Sequence, residues 1–166
     1  SVWYVDKWVI DCDTSVVNIT LRNNTIGICS SAFSKCSRLT STTIPDSVTS
    51  IGSDAFYGCS SLTSITIGNG IMSIGSDAFY GCKKLTEVFI TDLAKWCVIS
   101  FVDYNANPLN YAHRLYLNGT LITDLVIPNG VTSISSYAFY GCRSLTSIAI
   151  SDSMTSIGDC AFSGCS

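Results

Sequence analysis

The sequence predicts an α/β repeat solenoid, in which coils of about 23 residues stack and pair their strands into a parallel β-sheet. Three observations carry this prediction: a motif that recurs five times, aliphatic residues at fixed offsets before it, and turn residues after each strand. The chain has 166 residues, of which 47% are apolar and 13% charged. That composition supplies a core and excludes a disordered tail. We therefore expect one solenoid domain over residues 1–166.

The recurring motif is Ala-Phe followed by Cys three residues after the Phe. The intervals between successive Phe residues are 23, 23, 60 and 23 residues. Residues in one register of a solenoid stack on their counterparts in the next coil, so the motif should form the repeat core. Its members are Phe33, Phe56, Phe79, Phe139 and Phe162, with Cys36, Cys59, Cys82, Cys142 and Cys165.

An aliphatic ladder precedes each motif, at 17, 12, 8 and 5 residues before the Phe; before Phe79 it reads Leu62, Ile67, Ile71 and Ile74. Alternation of inward and outward residues with period two predicts a main strand in each coil. A second short strand follows, and Ser/Asp pairs after it predict the N-cap of a short helical segment that carries Ala-Phe. The main strands are expected in one sheet, near residues 17–21, 40–44, 63–67, 86–90, 114–117, 123–127 and 146–150.

Residues 83–121 break the period. The interval of 60 residues is 23 plus 37, which predicts one enlarged unit of about 37 residues and not a second domain. Within it, residues 92–101 predict a helix with Trp96 and Phe101 facing inward. A polar loop is expected over 103–109, and a strand and turn over 114–119.

The five repeat cysteines are predicted to be buried, unpaired thiols. Coils about 4.8 Å apart would allow disulfides on distance alone. Stacked side chains point in parallel, however, whereas a disulfide needs converging Cβ vectors. No C-x-x-C pair occurs, and Asp11 and Asp13 are typical of a solvated loop, so neither a metal nor another cofactor is expected. Unpaired thiols fit an anaerobic niche better than an oxidising one.

The composition excludes most enzymatic and nucleic-acid functions. Glu87 is the only Glu and His113 the only His, so Glu pairs and multi-His metal sites are ruled out. Nine Lys and Arg residues never run longer than two, which argues against a phosphate-binding face. Cys97, His113 and Asp103 could form a nucleophile, base and orienting group. Because Cys97 lies on an apolar helix, a buried inert thiol is the preferred interpretation, and no catalytic residue is predicted.

The repeat pattern L-x-x-I-x-I-P-x-x-V-x-x-I-x-x-x-A-F-x-x-C resembles the BspA-like leucine-rich repeat, first described in treponemes, over residues 16–82 and 122–165. The resemblance implies a right-handed leucine-rich-repeat superhelix from a secreted or cell-surface bacterial protein. It also implies non-catalytic contacts with host matrix proteins or other cells. The chain begins without a signal peptide and ends where a next unit would start, so we expect a segment of a longer protein.

The candidate binding face consists of the outward residues of the main strands. It is flat and polar, except for Phe89 and Val126, which are weak anchor signals. The face comprises Ser41, Thr43, Ser64, Thr66, Glu87, Phe89, Asp124, Val126 and Ser147.

Two functional hypotheses remain open from the sequence. The first is a binding or adhesion segment with a host or bacterial surface protein as partner. A glycan ligand stays open as well, because Tyr57, Tyr80 and Tyr140 form an aromatic stripe. The second is a structural spacer that projects or assembles other domains. Neither nucleic-acid binding nor direct membrane insertion is expected.

Overall fold

Most coils contribute two short strands to the fold. The computed structural model describes residues 1–165. The helices are α1 (Leu93–Cys97) and α2 (Leu109–Ala112), and a 3₁₀ turn spans Tyr104–Ala106. The strands are β1 (Val2–Val5), β2 (Trp8–Cys12), β3 (Asn18–Thr20), β4 (Gly27–Ile28), β5 (Ser41–Thr43), β6 (Ser50–Ile51), β7 (Ser64–Thr66), β8 (Ser73–Ile74), β9 (Glu87–Ile90), β10 (Ser100–Phe101), β11 (Leu115–Leu117), β12 (Thr120–Leu121), β13 (Asp124–Val126), β14 (Ser133–Ile134), β15 (Ser147–Ala149) and β16 (Ser156–Ile157).

Two long parallel ladders run through the first coils. The main ladder joins β3, β5, β7, β9 and β11, with β12 antiparallel at its edge; the second joins β2, β4, β6, β8 and β10, with β1 antiparallel at its edge. Between β5 and β7, Ser41 pairs with Ser64 and Thr43 with Thr66, a shift of 23 residues. The predicted parallel solenoid and its period are therefore confirmed.

Both ladders break after the enlarged unit. Strand β13 pairs with β15 and β14 pairs with β16, each couple forming a separate two-stranded sheet. The expectation of one sheet through residues 123–127 is therefore wrong. In the main ladder the physical reason is a hairpin: Asn118 and Gly119 both adopt positive φ and turn the chain back, so β12 occupies the edge of β11 that β13 would need.

The repeat core is a stack of phenylalanine rings. Phe33 and Phe56 lie 5.1 Å apart between ring centroids, Phe56 and Phe79 lie 5.2 Å apart, and Phe139 and Phe162 lie 5.2 Å apart. The first four are buried, as are the repeat cysteines up to Cys142. In the last coil, Phe162 and Cys165 are half-buried.

The segment that carries Ala-Phe is a series of turns, so the predicted capped helix is wrong. In every regular coil the residue two before the Phe is left-handed, as at Asp54 with φ of 57°, and a right-handed helix cannot continue through it. The residue two after the Phe is also left-handed, which explains the glycine at Gly58. This geometry turns Phe56 N–H toward the next coil, where it donates to Ala78 O at 2.8 Å.

The enlarged unit still contributes strands to both ladders, but it has two short helices and a 3₁₀ turn in place of the Ala-Phe segment. Helix α1 ends at Cys97, and the predicted helix is wrong beyond it because residues 100–101 form β10, which pairs with β8. Trp96 and Phe101 are buried, as expected. The stretch 103–109 is not a polar loop, because most of its residues lie in the core.

A regular coil offers backbone carbonyls as hydrogen-bond acceptors to the coil before it. In the enlarged unit, one backbone carbonyl and one side-chain hydroxyl take their place. Phe79 N–H donates to Asn105 O at 3.0 Å, where its counterpart in the previous coil meets an alanine carbonyl. Gly81 N–H donates to the Tyr111 hydroxyl at 3.0 Å instead of to a backbone carbonyl. The ladder of inter-coil hydrogen bonds thus continues without the Ala-Phe motif.

Toward the coil that follows, the enlarged unit offers side-chain donors. The fully buried Asn107 donates through Nδ2 to Tyr137 O at 2.7 Å and Ala138 O at 3.0 Å, and its Oδ1 accepts from Leu109 N–H at 2.8 Å. Trp96 Nε1 also donates to Ala138 O, at 2.9 Å. These bonds connect the two halves of the interrupted ladders.

The Phe79→Ala variant should lose roughly 3–5 kcal/mol of unfolding free energy, because it removes a fully buried ring that stacks on Phe56 and leaves a cavity in the core. Chemical denaturation monitored by circular dichroism measures this loss. Met72→Ala is the matched control, since Met72 is 65% exposed and should change stability by less than about 0.5 kcal/mol. Equal midpoints for the two variants would contradict the assigned register.

The Asn107→Ala variant should lose roughly 2–4 kcal/mol, because it leaves the buried Leu109 N–H without a partner and removes the two Nδ2 hydrogen bonds that cross the break. The exposed Asn129→Ala variant serves as the control in the same denaturation experiment. A near-neutral Asn107→Ala variant would show that the break is held by other contacts.

Candidate binding surface

The register of the main ladder places its outward side chains in two rows. One row holds Ser41, Ser64 and Glu87, at the start of each strand, and the other continues from Thr43 and Thr66 at the third position. The middle residues of these strands are buried. Strand alternation alone therefore presents the predicted residues of the first coils to solvent.

The second row becomes apolar at the enlarged unit. Phe89 is the register partner of Thr66 and of Tyr116, and Tyr116 is the partner of Leu121 across the hairpin. The rings of Phe89 and Tyr116 lie 4.9 Å apart between centroids, with a tilt of 32°. We call Phe89, Tyr116 and Leu121 the aromatic patch; all three are half-buried.

Tyr116 and Leu121 are functional candidates that the sequence analysis missed. A signal was available, because Tyr116 occupies the same place in Leu-Tyr-Leu that Phe89 occupies in Val-Phe-Ile. The predicted strand and turn over 114–119 are present, but the antiparallel return strand that brings Leu121 beside the rings was not predicted.

The remaining predicted residues lie on a different ladder. Asp124 pairs with Ser147 between β13 and β15, and Val126, which is 65% exposed, pairs with Ala149. Hydrogen bonds from the hydroxyls of Ser147 and then Thr146 lower the pKa of the Asp124 carboxyl below its usual range. The two apolar residues of the predicted binding face, Phe89 and Val126, therefore lie on separate sheets.

A cleft opens where the ladders break. It has a volume of about 550 Å³, and Leu121 contributes to both its wall and the aromatic patch. Arg114, Arg143 and His113 also line it, and we call these three residues and Leu121 the basic cleft. Both arginines are exposed, whereas His113 is half-buried with Nδ1 2.8 Å from Gly141 O. In a chain of net charge −3, the two guanidinium groups are a local concentration of positive charge.

The three residues considered for catalysis have separate structural roles. Cys97 is buried, and burial raises the pKa of its thiol to about 12. Asp103 accepts from the Ser76 hydroxyl and from Ala106 N–H, the latter at 2.8 Å, and so caps the 3₁₀ turn. His113 bonds to a backbone carbonyl. Within residues 1–165, no cluster of three or more His, Cys, Asp or Glu residues could hold a metal ion.

Three of the five repeat thiols, those of Cys59, Cys82 and Cys165, point at backbone carbonyls. Cys59 Sγ donates to Phe33 O at 3.1 Å, and Cys82 Sγ donates to Phe56 O at 3.3 Å. Burial raises the pKa of Cys82 to about 12 and raises the pKa of Cys59 as well. These two thiols therefore behave as small apolar side chains with little thiolate at neutral pH.

The tyrosine stripe continues across the enlarged unit. Tyr57 and Tyr80 stack with ring centroids 5.2 Å apart, and Tyr104 packs against Tyr140 at 5.6 Å. Tyr104, which the repeat pattern does not mark, supplies the ring that packs against Tyr140. The stripe presents partly exposed aromatic faces to solvent.

The coils, ladders and stacked Phe core define the class of this chain as a leucine-rich-repeat protein. The family model described as the BspA type leucine rich repeat region matches in six copies, over residues 11–107 and 112–166. The chain belongs to this family. No curated protein sequence matches it significantly.

Solved structures with the same fold come from several bacteria. The T. pallidum leucine rich repeat protein TpLRR has a TM-score of 0.58 at 21% identity, covering 95% of this chain and 80% of that one. A Bacteroides ovatus leucine-rich repeat protein has a TM-score of 0.53 at 28% identity, covering 96% and 40%. The pneumococcal vaccine antigen PcpA has a TM-score of 0.58 at 24% identity, covering 92% and 33%. The present chain thus spans well under half of the last two proteins.

The helices of the described chain give no support to a membrane span. None of those within residues 1–165 is long and apolar enough to cross a bilayer.

Alkylation should separate buried from exposed thiols. Iodoacetamide should label the exposed Cys160 in the folded protein, whereas Cys59, Cys82 and Cys97 should react only after denaturation. Peptide mass spectrometry reads the sites. Labelling of Cys82 at the same rate as Cys160 would contradict the buried core.

Alkaline pH should destabilise the fold through the same groups. The folded pKa values of Cys82 and Cys97, about 12, lie above the ordinary value of 9.0. Their contribution to stability is therefore full below pH 9 and is lost as pH rises from 9 toward 12. Thermal melts across this window should show a steeper fall for the wild type than for Cys97→Ala.

Proposed function

We propose that this chain is a non-catalytic binding segment of a secreted or cell-surface bacterial protein, and that it contacts a protein partner on a host matrix or cell. The observation that carries the proposal is the change of the outward row from threonines to the aromatic patch. The contact surface would combine this patch with the basic cleft beside it.

The aromatic patch has the properties of an interface anchor. Phe89 and Tyr116 are held by strands in direct register, so binding would cost them little side-chain entropy. Aromatic residues at the centre of an interface contribute a large share of binding energy. Their half-buried rings already pack together and need no rearrangement to present an apolar surface.

The basic cleft indicates the chemistry of the partner. The guanidinium groups of Arg114 and Arg143 can each bind a carboxylate with two parallel hydrogen bonds. Because Leu121 belongs to both features, an apolar side chain on the patch would bring neighbouring acidic groups to the cleft. A protein segment with an apolar residue beside Asp or Glu fits this surface.

The family description supports a binding or structural role. PcpA, which shares the fold, is described as a pneumococcal vaccine antigen. The family is one of repeat proteins that generally bind other proteins or serve as structural elements and not as enzymes.

A structural spacer is the second candidate. The first strands of the main ladder present only small polar side chains, such as Ser41, Thr43, Ser64 and Thr66, which offer no anchor. A glycan on the tyrosine stripe would be a different ligand class and would use Tyr80 in place of the aromatic patch.

The test compares the Phe89→Ser/Tyr116→Ser double variant with Thr43→Ala/Thr66→Ala, which changes the same row one and two coils before Phe89. Binding to immobilised fibronectin, laminin and collagen is measured by surface plasmon resonance. The aromatic double variant should bind at least about tenfold more weakly than the wild type, because two anchors are lost. The threonine double variant should bind like the wild type.

A charge variant and measurements at different salt concentrations test the basic cleft separately from the aromatic patch. Arg114→Gln/Arg143→Gln should slow association, and the wild-type association rate should fall as salt is raised. Absence of wild-type binding to the whole panel would favour the spacer, and equal loss in both row variants would contradict the assigned surface. Circular dichroism confirms that each variant is folded.

A further inference from the structure

One pair of sulfur atoms departs from the pattern of the repeat thiols. The Sγ atoms of Cys12 and Cys36 lie 2.6 Å apart, and both side chains are buried. Non-bonded heavy atoms pack at about 3.5–4 Å, so this separation is well inside ordinary contact. It approaches the sulfur–sulfur bond length of about 2.05 Å.

The chain path explains why this pair can converge when the stacked cysteines cannot. Cys12 lies at the end of β2, in a hairpin with the antiparallel strand β1, and not in a coil of the repeat. The residue 23 positions before Cys36 is Asp13, so Cys12 is outside the register of the repeat cysteines. Its side chain thus meets Cys36 from the hairpin, whereas Cys59 donates its thiol to the carbonyl of Phe33.

We propose that Cys12 and Cys36 form a disulfide that fastens the N-terminal hairpin to the first coil. The hairpin covers the edge of the second ladder, but β2 pairs with β4 through two residue pairs only, Trp8 with Gly27 and Val9 with Ile28. A covalent bond would secure this short attachment and keep the ladder edge covered.

Formation of the bond requires a disulfide oxidant, such as oxidised glutathione or a protein disulfide. The thiolate of one cysteine attacks a sulfur of the oxidant and expels one thiolate, giving a mixed disulfide. The second cysteine thiolate attacks the protein sulfur of that mixed disulfide and expels the other thiolate. The protein loses two protons and two electrons, and the oxidant becomes two thiols.

The bond should form while the hairpin docks and should then be protected. In the folded chain, burial raises the thiol pKa values of both cysteines, so little thiolate is present once the hairpin is seated. Oxidation of the folded, reduced protein should therefore be slower than oxidation during refolding.

The test is a disulfide map of the whole chain after refolding in a buffer of reduced and oxidised glutathione. Remaining thiols are alkylated in denaturant, and trypsin places Cys12 in peptide 8–22 and Cys36 in peptide 36–38. Mass spectrometry should find these peptides linked, with a mass two hydrogens lower than their sum. Reduction should separate them.

Three variants extend the test. Cys12→Ser and Cys36→Ser should each abolish the link and lower the melting temperature of the oxidised protein by roughly 5–10 °C. The exposed Cys160→Ser variant is the control and should leave both link and melting temperature unchanged. Recovery of Cys12 and Cys36 as alkylated thiols after oxidative refolding, or a link from Cys36 to Cys59, would overturn the proposal. The wild-type map decides the matter even if a variant fails to fold.

Discussion

Backbone hydrogen bonding between successive coils is the constraint on which the rest of the structure depends. It extends beyond the strands to the Ala-Phe turn, where Phe56 N–H donates to Ala78 O. Left-handed residues on both sides of each repeat Phe orient these groups along the stacking direction. Because buried donors without partners are costly, each coil must receive acceptors from the next one. A coil that abandons the motif must therefore replace them.

The enlarged unit supplies the required hydrogen-bond partners from other groups than the Ala-Phe motif. The candidate binding surface is a consequence of that replacement. Asn105 O and the Tyr111 hydroxyl accept from one side, and Asn107 and Trp96 donate to the other. The strands do not continue across the unit, because the hairpin of β11 and β12 closes the edge of the main ladder. That closure places Leu121 beside the aromatic rings and leaves the basic cleft open, so the binding surface arises where the repeat is least regular.

The cysteines illustrate the same principle at the level of single side chains. A residue repeated in register has parallel neighbours, and its thiol bonds to a carbonyl, as at Cys82. Cys12 comes from the hairpin and is free of that register, which is why its sulfur can approach Cys36. Whether a cysteine is an inert core thiol or a candidate for a cross-link therefore depends on its position relative to the repeat register.

The sequence alone determined the solenoid, its period of 23, the stacked Phe core and the outward rows of the first coils, because periodic residues leave a stacked chain few other arrangements. It could not determine the helix bounds in the enlarged unit, the buried stretch 103–109 or the ladder break, because these depend on Asn107 and Tyr111 reaching groups some 30 residues away. Similarly, Phe89 and Val126 are equivalent in the repeat, and only the tertiary structure placed them on separate sheets. Local periodicity specifies a coil, whereas contacts between unlike coils are decided by which polar groups meet when the chain packs.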